Sequence, residues 1–245
     1  MKTGAKIFEG CKKIVFEENY SFAKKWKKSS SKRVLIGIIP NYFPREIIHA
    51  ANGLAVGIIG AELKHPENNF KQKSAKSACS MLEGIFDLVK SGKYKDFDGF
   101  ILPSQCLALS GFDEIQKIKQ EGKFIKYINF PQYFQTIIGD ILNHYFVSDV
   151  LKEIYKINKV KVTSKTLNNS IQLFKENLKL TERIFSLRKK GNNNISQGEL
   201  YYTVMAGLMI PIENHNEILM KIIELLGGSE EKDESIFKVY AGAYC

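Results

Sequence analysis

Two cysteines stand where a thiolate could serve a metal cluster or a redox step. Cys106 follows a predicted strand, in Leu102-Pro103-Ser104-Gln105-Cys106, and ligands of open parallel sheets gather at the carboxyl ends of strands. Cys79, in Ser77-Ala78-Cys79-Ser80, lies near the start of a predicted helix, the end that favours thiolate over thiol. Together they could supply two ligands to one iron–sulfur cluster. The competing reading is that each is a small buried thiol packed as a hydrophobe, and Cys11, on an amphipathic pattern, is read that way. None of the four cysteines forms a C-x-x-C pair, and no H-E-x-x-H is present, so a metal site would have to be assembled from distant cysteines.

A second group of polar residues follows predicted strands. The turn Pro40-Asn41-Tyr42-Phe43-Pro44 joins a strand to a helix start, where free N–H groups can meet an anion or a carbonyl oxygen. Asn41 and Tyr42 are therefore substrate-binding candidates. Glu62 follows the next strand and could reach the same crevice. Ordinary connection chemistry would also explain the turn and Glu62. Gly53, Gly57 and Gly60 do not form G-x-G-x-x-G, and neither a G-x-x-x-x-G-K-[ST] loop nor a G-x-S-x-G elbow occurs. Dinucleotide binding, direct ATP hydrolysis and serine-hydrolase chemistry are disfavoured. No catalytic residue is assigned.

The elements that must position these residues alternate. Residues 5–27 read as one amphipathic helix, followed by a serine linker at 29–31. Arg33 to Ile39 is a continuous apolar run with β-branched residues, the mark of a buried parallel strand. Pro44 opens a helix that Gly53 is expected to stop. Further strands are expected at Leu54–Ile59, Asp98–Pro103 and Lys123–Phe130, with helices at 74–90 and 112–121 between them. This order implies a mostly parallel sheet. After Pro131 the period becomes helical: 132–157, then a helix capped by Thr163 or Ser164 and running to about Lys189. Ser196 with Glu199 forms the capping-box pattern ahead of a helix at 197–208. A last helix starts at Pro211 or Ile212 and ends before Gly227. Residues 229–235 read as a linker and 236–241 as a new strand. The fold class is α/β, a Rossmann-like parallel half followed by a helical segment. The expected domains are 1–131, 132–228 and, in 229–245, the opening of a second α/β half.

The chain has 245 residues, 44% hydrophobic and 25% charged, an ordinary globular balance that excludes disorder and collagen-like repeats as global descriptions. No apolar run is long enough to span a bilayer, and the amino terminus lacks a signal-peptide pattern. A soluble cytoplasmic protein is expected. The net charge of +10 is concentrated in Lys12, Lys13 and the stretch from Lys24 to Arg33. It suits solvated lysine faces or phosphate-bearing partners, while no nucleic-acid-binding signature accompanies it.

Taken in order, these segments resemble the 2-hydroxyacyl-CoA dehydratase and benzoyl-CoA reductase family of iron–sulfur subunits. Pro44 to Leu54 is similar to the family's P-E-E-L-I-H-A-A-G segment, with Asn52 as an extra polar residue before the glycine. Ser77-Ala78-Cys79-Ser80 resembles the first cluster-ligand segment. Asp98 to Cys106 resembles the second, D-G-v-x-x-P-x-x-C-D, with Leu107 in place of the final aspartate. Glu199-Leu200-Tyr201, Ala206-Gly207 and Pro211 to Asn216 resemble the helical segment of the smaller catalytic subunits of benzoyl-CoA reductases. Gly242-Ala243-Tyr244-Cys245 resembles the start of their second half, at a position that does not ligate the cluster. The resemblance implies two α/β halves holding a [4Fe–4S] cluster, with Cys79 and Cys106 as two ligands and a third cysteine beyond residue 245. It further implies low-potential electron transfer to an acyl-CoA thioester. The implied partners are a homologous second catalytic subunit and an ATP-dependent activator that donates electrons. Radical dehydration of a 2-hydroxyacyl-CoA is the alternative chemistry, and a non-catalytic scaffold subunit or fragment the alternative of another class. The isolated chain is expected to be inactive, because Cys245 is read as the point where the second half is cut.

Overall fold

The computed structural model describes residues 2–16, 20–38, 43–58, 91–103, 121–128, 137–189 and 195–227. They fall into two compact units, one of residues 18–162 and one of residues 1–17 with 163–245.

The first unit is built on four parallel strands: β1 (Val34–Ile38), β2 (Gly53–Gly57), β3 (Gly99–Pro103) and β4 (Phe124–Ile128), in the order β2-β1-β3-β4. The α/β reading is borne out. Every residue of β1 is buried, as expected of a strand covered on both faces. Its odd and even positions serve different cores. Val34, Ile36 and Ile38 join Ile101 and Ile128 on one face, covered by Ile48 of α3 (Arg45–Ala50), by Ala51 just after it, and by Val150 and Ile154 of α4 (Ile137–Asn158). On the other face Phe100 lies over Gly37, where an added Cβ would stand 2.6 Å from the ring. Phe97 stacks on Phe100 at 5.6 Å, and Tyr94 meets both rings edge-on.

Two local details differ from the sequence reading. The expected helix over 5–27 is two helices, α1 (Lys2–Phe16) and α2 (Ser21–Lys28). Tyr20 takes a left-handed conformation (φ 49°) with its ring buried against Tyr94 and Phe97, and that backbone cannot continue a right-handed helix. The turn after α3 is made by Asn52, not Gly53. Asn52 sits at φ 59° and its Nδ2 donates to the Lys32 carbonyl at 2.8 Å. Asparagine tolerates this region because its short amide bonds locally. Gly53 instead begins β2, where Ile48 leaves no room for a Cβ. The end of α4 reinforces the same corner: buried Asn158 donates to the Ala51 carbonyl at 2.7 Å and the Lys32 carbonyl at 3.2 Å, and accepts from the Val160 amide. Lys126 of β4 reaches Asp149 at 2.8 Å and Glu153 at 3.2 Å on α4.

The second unit contains α1, α5 (Ser164–Lys189), α6 (Gln197–Ala206) and α7 (Ile212–Leu225). The sequence reading groups the first helix with the sheet. Its Phe8 instead packs with Ile184, Leu200, Leu219 and Ile222, and its Cys11 and Val15 with Ala206. An amphipathic stripe states that a helix needs a cover but not which element supplies it. The caps are as read: Ser196 and Glu199 form a full capping box, and Thr163 and Thr166 exchange backbone-to-hydroxyl hydrogen bonds at the start of α5. No helix among the described residues is long and apolar enough to cross a membrane.

Candidate functional site

The strand order defines one special place on the sheet. β2 lies on one side of β1, and β3 on the other, so successive connections leave in opposite directions. The strand order therefore reverses between β1 and β3, and ligands of open α/β sheets bind in the crevice beyond the carboxyl ends at this point. Two of the segments with candidate chemistry leave from there. The chain departs β1 at Ile38, three residues before Asn41, and β3 at Pro103, three residues before Cys106. β2 ends at Gly57, five residues before Glu62. Because the strands are parallel, all three exits are on one edge. Asn41, Tyr42, Glu62, Cys79, Cys106 and Cys245 themselves lie outside the described residues, as do the helix expected at 74–90 and the strand at 236–241. What is brought together is the set of strand ends that lead to the candidates.

The motif leading into Cys106 begins with a structural pair. Asp98 accepts a hydrogen bond from the Leu35 amide at 2.8 Å through Oδ2 and binds Lys27 Nζ at 2.7 Å through Oδ1, while its own amide donates to the Leu35 carbonyl. It thereby closes the start of β3 onto β1. Gly99 faces the ring of Phe124 across the β3–β4 pair, and a Cβ there would collide with it. The pair Asp98-Gly99 thus fixes the register of the strand that leads to Cys106.

Arg45 is a residue that the sequence reading does not single out, although an arginine directly after Pro44 sits in a helix first turn that disfavours cations. Its Nη2 lies 3.5 Å from the Ala55 carbonyl. Burial pulls its pKa down to about 10 while Glu46 opposes the shift. It remains a cation at neutral pH, beside β2 and near the carboxyl edge. His49, one turn on, is half-buried.

Among the described residues no three His, Cys, Asp or Glu side chains are grouped to hold a metal ion. Cys11 is 1% exposed, and burial raises its pKa against the opposing hydrogen bond to Thr203. It is a core thiol, as read.

In the helical unit, the Pro211 to Asn216 motif proves to be a buried polar junction. Asn177 Nδ2 donates to His215 Nδ1 at 2.7 Å and to Asn216 Oδ1 at 2.6 Å. With Nδ1 accepting, Nε2 carries the proton and donates to the Thr203 carbonyl at 2.9 Å. Gly207 leaves the space that the His215 ring occupies. This explains Ala206-Gly207 and His215 together.

Residues 40–240 match the family described as 2-hydroxyglutaryl-CoA dehydratase, D-component. The chain belongs to that family. Three relatives are similar to the chain over parts of their length. A benzoyl-CoA reductase subunit of Thauera aromatica is 26% identical over 98% of the chain and 63% of the relative. The (R)-phenyllactyl-CoA dehydratase beta subunit of Clostridium sporogenes is 22% identical over 95% of the chain and 61% of the relative. The lactoyl-CoA dehydratase beta subunit of Anaerotignum propionicum is 27% identical over 61% of the chain and 39% of the relative. The chain thus spans less than two thirds of the length of these relatives.

Proposed function

We propose that the chain is part of an iron–sulfur subunit of an ATP-dependent complex of the benzoyl-CoA reductase type. Its role is to pass low-potential electrons to an aromatic acyl-CoA thioester. The observation that carries this reading is the exit of the chain from the carboxyl end of β3, three residues before Cys106, across the order reversal from its exit from β1 toward Asn41 and Tyr42. The likeness to the Thauera benzoyl-CoA reductase protein over nearly the whole chain supports the substrate class.

In this reading Cys79 and Cys106 supply two thiolates to a [4Fe–4S] cluster, with a third cysteine beyond residue 245. A bound cluster would supply one-electron reduction at low potential. The described residues do the positioning. Asp98 and Gly99 lock β3 against β1 and β4, so the three-residue lead to Cys106 starts from a fixed point. Such a lead spans at most about 11 Å. In the same reading Asn41, Tyr42 and Glu62 serve that crevice and bind the substrate. Arg45 keeps a positive charge near that edge. The chain has no phosphate-binding loop, so ATP is used by a separate activator, and the catalytic pair includes a second, homologous subunit.

Similarity to the phenyllactyl-CoA and lactoyl-CoA dehydratase beta subunits favours a second reading, radical dehydration of a 2-hydroxyacyl-CoA. The two separate on turnover. The whole complex, purified without oxygen and given ATP, its electron donor and benzoyl-CoA, is expected to form a dienoyl-CoA. Turnover of a 2-hydroxyacyl-CoA instead, with none of benzoyl-CoA, refutes the reductase assignment. A complex that contains this chain but turns over neither overturns the enzyme reading in favour of a scaffold role.

A further inference from the structure

The other end of the same sheet carries a concentrated excess of positive charge, and the mechanism above does not use it. The last turns of α2 bring Lys24, Lys25, Lys27 and Lys28 to the entrance of β1, and Lys32 and Arg33 follow directly. The turns entering β3 and β4 add Lys93, Lys95 and Lys123. These segments share one edge because the strands they feed are parallel neighbours, and Lys123 is close enough to Lys27, Asp96, Asp98 and Glu121 for their charges to act on it.

The carboxylates do not neutralise this edge. Asp96 is engaged by Lys24 at 3.2 Å and Asp98 by Lys27 at 2.7 Å. Lys123 spends its ammonium on the carbonyls of Lys95 and Phe97. Lys25, Lys28, Lys32 and Lys95 are exposed and make no ion pair among the described residues. Some of the excess suits the carboxyl end of α2, where cations offset the helix dipole. That accounts for α2 and not for lysines contributed by two other turns.

We propose that this amino edge is a docking surface for the acidic face of a partner protein. Three features favour a protein over a nucleic acid. The cations spread over three separate segments in place of converging on one phosphate-sized point. Glu121 and the part-exposed Asp96 lie among them, which a continuous phosphate rail would meet as like charges and a mixed acidic surface tolerates. The ring of Trp26 is already taken as a stacking platform, because the Arg33 guanidinium lies over it at 4.5 Å and is held by the Trp26 carbonyl at 2.9 Å. Five-residue strands separate this edge from the candidate crevice by about 16 Å, so a partner bound here leaves the crevice open. The inference does not depend on which reaction occurs there.

Trp26 is the single tryptophan of the chain, which makes its emission a local reporter. The test titrates the full chain with fluorescein-labelled poly-L-glutamate and, separately, with oligo-dT of equal charge. Poly-L-glutamate is expected to bind, to weaken as salt rises, and to change Trp26 emission. Reversing Lys25, Lys28 and Lys32 to glutamate should lower the affinity at least about tenfold, while reversing Lys12 and Lys13 on α1 leaves it unchanged. If the reversed chain fails the far-UV circular dichroism check, the glutamine versions of the same three lysines should show a smaller loss in the same direction. Binding that ignores all three lysines, or no binding at all, overturns the proposal. Oligo-dT binding more tightly than poly-L-glutamate through the same lysines overturns it in favour of a nucleic-acid partner.

Discussion

Replacing Asp98 by alanine tests whether the start of the cluster-ligand motif is a structural clamp. The carboxylate does two things at once. It satisfies the Leu35 amide, which belongs to a residue with no exposed surface, and it pairs with Lys27. A buried donor left without its acceptor costs about 1–3 kcal/mol. The ion pair adds less, because both side chains retain solvent contact, 25% for Lys27 and 17% for Asp98, and such pairs are worth no more than about 1 kcal/mol. The expected loss is about 1–4 kcal/mol. With a urea dependence near 2 kcal/mol per molar, the unfolding midpoint falls by about 0.5–2 M. Trp26, one residue before Lys27, reports the unfolding of this unit by fluorescence. Two controls separate the contributions. Lys27→Met should cost below about 1 kcal/mol, since Asp98 keeps its bond to Leu35. Asp98→Asn should fall between, because an amide oxygen can still accept from Leu35. If Lys27→Met costs as much as Asp98→Ala, or if Asp98→Ala moves the midpoint by less than the error, the clamp argument is wrong.

Two further perturbations follow from the same geometry. Gly207→Ala should destabilise the helical unit by about 1–3 kcal/mol through overpacking, since the new methyl collides with a His215 ring held by hydrogen bonds at both nitrogens; thermal unfolding followed at 222 nm measures it. Burial alone would raise the Glu153 carboxyl, but its bonds to Lys156 and Lys126 outweigh that and hold its pKa below the ordinary value. Its contribution is therefore present above the unfolded carboxyl pKa of about 4.3 and is lost as pH falls through the lower folded value. The melting temperature of Glu153→Gln should fall less steeply than that of the unsubstituted chain below about pH 4.5, and parallel slopes would contradict this.

How much of this could be read from residues alone depended on whether the cause was local. β1 announces itself as a continuous apolar run because both its faces are covered. The Ser196–Glu199 box is complete within four residues. The break at Tyr20 is different: the ring is held by Tyr94 and Phe97, more than seventy residues away, and nothing in the local period signals it. The same holds for Asn52, whose left-handed turn is secured by the Lys32 carbonyl. For the candidate site, the rule that chemistry follows strand ends picked out the segments after Ile38, Gly57 and Pro103. That β1 and β3 are neighbours was not legible, because strand order is a property of pairing between distant segments. Asp98 and Gly99 read as part of a ligand motif. Their bonds to Leu35 and Lys27, and the ring of Phe124, give them a positioning role that only the register displays.

The proposed function turns on whether Cys79 and Cys106 hold a cluster. The most direct measurement is anaerobic reconstitution of the full-length subunit, with iron and acid-labile sulfide determined per chain and the reduced sample examined by electron paramagnetic resonance. A cluster with matching iron and sulfide and a reduced-state signal is expected. Both should be lost in Cys79→Ala and in Cys106→Ala, and kept in Cys11→Ala, whose thiol is part of the helical core. A full-length subunit that takes up no cluster, or a cluster indifferent to Cys79 and Cys106, would contradict it.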